Sequence, residues 1–155
     1  MVNPFDLRTI LLAKHAQHVV LIHFPIALFL TGVAFDAASR WTKKSEIKGK
    51  LAAGARLNIF AAAVTVVPAV ATGIVAWQWQ LEGKELKGLL LLHAVLGCVS
   101  AALIALCAWV QFRLRGSSTR SLTAFSFALK AITVVAVIST GHLGGFLSGV
   151  NVAIR

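Results

Sequence analysis

Charge is scarce in this chain. Asp, Glu, Lys and Arg make up 13% of its 155 residues, against roughly 25% in a soluble domain, so lipid and not water is the main solvent expected. Carboxylates are scarcest, five against fifteen Lys and Arg, and no paired-carboxylate acid–base set is visible. Methionine is limited to Met1, and cysteine to Cys98 and Cys107. No methionine run or cysteine pair of the kind that holds copper or zinc is therefore present. The two cysteines would stand about 13 Å apart along one helix, too far to bridge. A nucleophile–base arrangement, a Gly-rich phosphate loop, an internal repeat and a low-complexity segment are also missing. An enzyme acting alone is not expected.

What remains is apolar. Hydrophobic residues make up 58% of the chain and the mean hydropathy is +0.84. Four runs, 18–38, 57–79, 88–112 and 122–146, are each long enough to cross a bilayer. The connections, 39–56, 80–87 and 113–121, are short, which makes sequential helices antiparallel neighbours. The expected fold is all-α, an integral membrane up-down four-helix bundle forming a single domain over 1–155. Residues 3–17 alternate apolar Phe5, Leu7, Ile10, Leu11 and Leu12 with Asp6, Arg8 and Lys14. They read as a short interfacial helix leading into the first span.

The formal charge of +10 would suggest nucleic acid in a soluble protein, but here the basic residues lie between apolar runs, so no nucleic-acid partner is expected. One side collects Arg40, Lys43, Lys44, Lys48, Lys50, Arg56, Arg113, Arg115 and Arg120. The other has Arg8, Lys14, Lys84, Lys87 and Arg155, offset by Asp6, Glu82 and Glu85. The positive-inside rule then puts both termini outside. Trp41 and Trp109 fall at the inner boundary, Trp77 and Trp79 at the outer, as an aromatic belt requires. The chain start lacks the basic n-region of a cleaved signal peptide. Two charges fall within or beside spans. Lys130 is expected to snorkel to the inner interface, with facing the bundle as the alternative, and Asp36 to form an ion pair with Arg56 on the adjacent span, with a proton path as the alternative.

Against this background five histidines stand out: His15, His18, His23, His93 and His142. Topology carries the last four to the outer layer from three separate spans, and ligand-type side chains in a membrane segment need a reason to be there. His18 and His23 are five residues apart, about 140° around a helix and about 7.5 Å along it, so one ion could not easily take both. Haem b needs two axial imidazoles on opposite sides of a flat macrocycle, most simply from different helices. His23 would pair with His93 and His18 with His142, or the partners could be exchanged. Gly97, Gly141, Gly144 and Gly145 give room for a porphyrin, or for ordinary close helix packing. His15 reads as an interfacial headgroup contact. Pro25 and Pro68 locally loosen the first two spans.

The run from His18 to Leu28, His-Val-Val-Leu-Ile-His-Phe-Pro-Ile-Ala-Leu, is followed by Asp36, by Ala71-Thr-Gly-Ile-Val-Ala-Trp77, by Leu92-His-Ala94 and by Gly141-His-Leu-Gly-Gly145. In this order the motifs resemble a bacterial family of small four-span membrane proteins of unknown function, often described as haem-binding or cytochrome-like. The resemblance covers nearly the whole chain. It implies His18, His23, His93 and His142 as cofactor ligands (axial ligands to haem iron) and leaves His15 outside the set. It also implies a multi-pass protein of the bacterial inner membrane, with the histidines on the periplasmic side. Some relatives are joined to Rieske-type iron–sulfur domains, which implies electron transfer. Cys98 and Cys107 have no cluster-ligand pattern, so the redox partner would be another polypeptide. The expected function is a cytochrome b-like subunit with one or two haems, relaying electrons between a partner redox protein and quinone or a larger complex. The alternatives are a non-redox copper or zinc protein using the same histidines, and a cofactor-free structural subunit of a membrane complex.

Overall fold

In lipid no water is available to satisfy the backbone, so a long apolar run must close its hydrogen bonds within itself as helix. The computed structural model describes residues 14–80, 82–83, 85–113 and 120–149, and it has that form. The helices are α1 (Lys14–Trp41), α2 (Ser45–Gln80), α3 (Gly88–Arg113) and α4 (Arg120–Leu147). No strand occurs among the described residues. Each helix contains a stretch long and apolar enough to cross a membrane: Ala16–Trp41, Ser45–Trp79, Gly88–Arg113 and Thr123–Leu147. The interfacial helix expected over 3–17 lies outside the described residues except for its last turn, which belongs to α1.

One boundary differs from expectation. α2 starts at Ser45, so most of the connection expected over 39–56 is helix, and only residues 42–44 turn the chain. Hydropathy marks where a helix is apolar, not where it begins. Residues 45–56 are rich in Ala and Lys, good helix formers, and Lys50 Nζ reaches Glu46 Oε1 at 2.6 Å on the exposed face. At 36 residues, α2 is about 54 Å long, well beyond a hydrocarbon core of about 30 Å.

The helices pair as two hairpins. α1 packs along α2 and α3 along α4; α2 meets α3 less, and α1 meets α4 least. Each contact face repeats at alternating steps of three and four residues, the spacing of left-handed antiparallel packing. On α1 the face carries His18, Pro25, Phe29, Gly32, Asp36 and Ser39; on α2 it carries Ala55, Ile59, Ala62, Ala69, Gly73 and Ala76. These residues are small where the backbones come closest. A Cβ on Gly32 would stand 2.7 Å from Ile59 Cγ1, and one on Gly54 would stand 3.0 Å from the Phe35 ring. The opposite faces are apolar and exposed, as with Val64 and Val67 on α2 and Val135 and Ile138 on α4. That is the surface lipid requires.

The second hairpin is zipped by polar contacts. Thr133 Oγ1 donates to the Leu129 carbonyl at 2.7 Å, which leaves Cys107 Sγ to donate to Thr133 Oγ1 at 3.4 Å. In the same way Thr140 Oγ1 donates to the Ala136 carbonyl at 2.8 Å, and Ser100 Oγ donates to Thr140 Oγ1 at 3.0 Å. Such bonds between membrane helices average about 0.6 kcal/mol each, so the seam depends on their number.

Lys130 does not snorkel. It is 3% exposed, on the same face of α4 as Ser126, Thr133 and Val137, and its Nζ donates to Asp36 Oδ2 of α1 at 2.9 Å. Arg40 Nη2 donates to the same oxygen at 3.1 Å. The expected Asp36–Arg56 pair is therefore replaced by Asp36–Lys130, and Arg56 lies on the exposed side of α2. The reason is rotational: Lys130 falls on the face that packs inward, where its ammonium must find an anion or remain desolvated and unpaired. Lys130→Met should destabilise the protein by about 3 kcal/mol, the lower end for an orphaned buried charge because Arg40 still holds the carboxylate. Arg56→Ala should change stability by less than about 0.5 kcal/mol. Thermal or denaturant unfolding in detergent compares the two directly.

Candidate functional site

Antiparallel packing within each hairpin and the short turn 81–87 bring the start of α1, the end of α2, the start of α3 and the end of α4 to one end of the bundle. His18, His23, His93 and His142 all lie within nine residues of that end, about 14 Å by helix rise. The common layer expected for them is therefore present. The side chain of His15 lies outside the described residues.

Two of the four enter helix seams. His18, on the second turn of α1, turns toward α2, where its Nδ1 lies 3.0 Å from the Ala69 carbonyl oxygen and 3.3 Å from Thr72 Oγ1. A carbonyl can only accept, so Nδ1 carries a proton, and in the neutral ring the lone pair falls on Nε2. The Thr72 hydroxyl is itself turned to the Pro68 and Ala69 carbonyls, at 2.9 and 3.0 Å. A Cβ on Gly73 would stand 2.9 Å from His18 Cε1. The imidazole thus occupies space that exists because residue 73 has no side chain.

His93 repeats the arrangement in the second hairpin. Its Nδ1 donates to the Thr140 carbonyl at 3.2 Å, and a Cβ on Gly144 would stand 3.1 Å from its Cε1. In both hairpins the acceptor carbonyl lies four residues before the glycine that faces the ring. The Nδ1–carbonyl bond fixes tautomer and ring orientation alike, as it does for metal-ligating histidines generally.

The other two histidines lie on exposed flanks. His23 Nδ1 donates to the Val19 carbonyl of its own helix at 2.6 Å. The ring of His142 stands edge-on to Phe146, with centroids 5.0 Å apart and planes at 89°. Among the described residues no three His, Cys, Asp or Glu side chains gather as a single metal ion would require. Cys98 is exposed and Cys107 buried, both as free thiols.

The glycines have roles that spacing alone did not assign. Gly144, which flanks His142 in sequence, faces His93 across the seam; Gly97 faces the Thr140 methyl at 3.8 Å, and Gly141 faces open space. Ala69, Thr72, Gly73 and Thr140 were not legible as partners of the histidines. The signal that marks them is the three–four stripe of small and polar residues on α2 and α4.

A helical chain with four candidate spans, an apolar exterior and polar seams is a multi-pass membrane protein. The chain matches the family described as predicted membrane protein (DUF2231) over residues 14–152, and it belongs to that family. Neither the comparison with curated proteins nor that with solved structures gave a match.

The paired seams make a direct prediction. Gly144→Ala should displace the His93 ring and cost about 1–3 kcal/mol as overpacking, whereas Gly141→Ala should be neutral or slightly stabilising. Thermal midpoints of the two variants, with the His93 imidazole resonance followed by NMR, test it.

Proposed function

We propose that the histidine end of the bundle binds haem b, one or two per chain, and that the protein serves as a cytochrome b-like electron-transfer subunit. The observation that carries this reading is the repeated clamp: His18 and His93, one in each hairpin, each donate Nδ1–H to a carbonyl of the neighbouring helix. Clamped imidazoles with Nε2 as the basic nitrogen suit axial ligation. His23 also donates Nδ1–H to a carbonyl, and His142 lies in the same layer, so these two are the further ligand candidates. The donor set is imidazole alone, and haem iron needs only two such ligands. A compact copper or zinc site draws on three or more, and has less support here.

When bound, haem supplies a one-electron couple at its iron. The chain's own residues do the rest. The Ala69 and Thr140 carbonyls hold the rings in place and increase the donor strength of Nε2. The glycines at 73 and 144 let the rings approach the backbone, and the apolar spans keep water from the layer. The basic residues Lys43, Lys44, Lys48 and Lys50 lie at the opposite end, which by the positive-inside rule favours a periplasmic histidine layer and periplasmic termini in a bacterial inner membrane. Electrons would then pass between a partner redox protein at that face and quinone or a larger membrane complex.

The test is a reduced-minus-oxidised optical spectrum of the detergent-purified full chain, with haem quantified as the pyridine haemochrome. A b-type spectrum at one or two haems per chain is expected. His18→Ala and His93→Ala should abolish or shift the signal, and His15→Ala should leave it intact. Protein made with ample haem that carries none overturns the reading. Stoichiometric copper or zinc would then indicate the metal-binding alternative, and co-purifying partners without cofactor a structural subunit.

A further inference from the structure

A groove opens between α1 and α4 at the end of the bundle opposite the histidines. It stays open because these two helices touch least of the neighbouring pairs. Its floor is Ala37 on α1 with Ala124, Phe127 and Ala128 on α4, and Arg40 and Trp41 stand at its mouth. Trp41, 84% exposed, ends its span and Thr123 begins another, which places the mouth at headgroup level. Ala37, Phe127 and Ala128 lie about one turn deeper, at the level of the first acyl carbons.

The charge at this mouth does not balance. One carboxylate, Asp36, is shared by two cations, Lys130 at 2.9 Å and Arg40 at 3.1 Å. Lys130 is buried, while the Arg40 side chain is 37% exposed and is the charged residue that lines the groove. Exposed Lys43 and Lys44 follow in the turn. A surplus positive charge beside an apolar channel calls for an anion that brings its own hydrocarbon.

We infer that this groove binds an anionic phospholipid, with the phosphate against Arg40 and an acyl chain along Ala124, Phe127 and Ala128. Basic pockets between membrane helices hold acidic lipids by this combination. The site is separate from the histidine layer and stands whether or not haem binds there.

The experiment is native mass spectrometry of the full chain in detergent, titrated with phosphatidylglycerol and, separately, with phosphatidylcholine of the same chains. Phosphatidylglycerol should bind about fivefold tighter, the weight of one basic residue at a membrane surface. Arg40→Gln, which leaves the Lys130–Asp36 pair neutral, should remove that preference. Ala124→Trp keeps all three charged groups and fills the floor, and should weaken binding of phosphatidylglycerol by a similar factor; it also serves if Arg40→Gln fails to fold. Equal binding of the two lipids, a preference unchanged in Arg40→Gln, or phosphatidylglycerol binding not weakened in Ala124→Trp overturns the proposal. A lipid-free dimer that Ala124→Trp dissociates also overturns it, by assigning the groove to a second copy of the chain.

Discussion

Helices in a membrane gain nothing from hiding apolar side chains from lipid, because lipid is as apolar as they are. What holds them together is close backbone approach and hydrogen bonds across the seam, and every part of this bundle follows from that. Gly32 and Gly54 bring α1 and α2 together. Ser100, Cys107, Thr133 and Thr140 lace α3 to α4, and the ion pair of Lys130 with Asp36 joins the two hairpins. The seams combine apolar residues such as Phe29, Ile59 and Ile104 with a few polar ones, and the outward faces are apolar as well, unlike those of a soluble bundle.

The fold class was legible in the sequence because four long apolar runs with short connections leave few alternatives. The histidine layer was legible too, since depth follows from counting along a span. Rotation about each helix axis was not. Lys130, ten residues into α4, could reach the interface if it faced outward, and only its register with Ser126, Thr133 and Val137 shows that it cannot. Arg56 looked like the partner of Asp36 because both fall near the ends of adjacent spans, yet it points away from α1. The start of α2 was missed for a different reason: its first turns are helical without being apolar.

The seam also explains why His18 and His93 are alike and His23 and His142 are not. A histidine in the contact face meets the carbonyls and glycines of the next helix, and its ring is fixed from two sides. On the flanks, His23 bonds its own helix and His142 meets an aromatic neighbour. Two hairpins that share no evident sequence repeat thus arrive at the same local arrangement, His93 with Thr140 and Gly144 matching His18 with Ala69 and Gly73. Both solve one problem, how to place an imidazole between two closely packed helices.

The ion pair also bears on how the protein is made. Its acidic half lies in α1 and its basic half in α4, so the three helices from α1 to α3 are made before the two can meet. Until then α4 must enter the bilayer carrying an ammonium in its N-terminal half, at about 3 kcal/mol for a residue at mid-membrane and less nearer the interface. Docking of the second hairpin on the first removes that penalty. Asp36 therefore acts as a receptor for α4, and a chain that lost it would hold α4 inserted but without this latch.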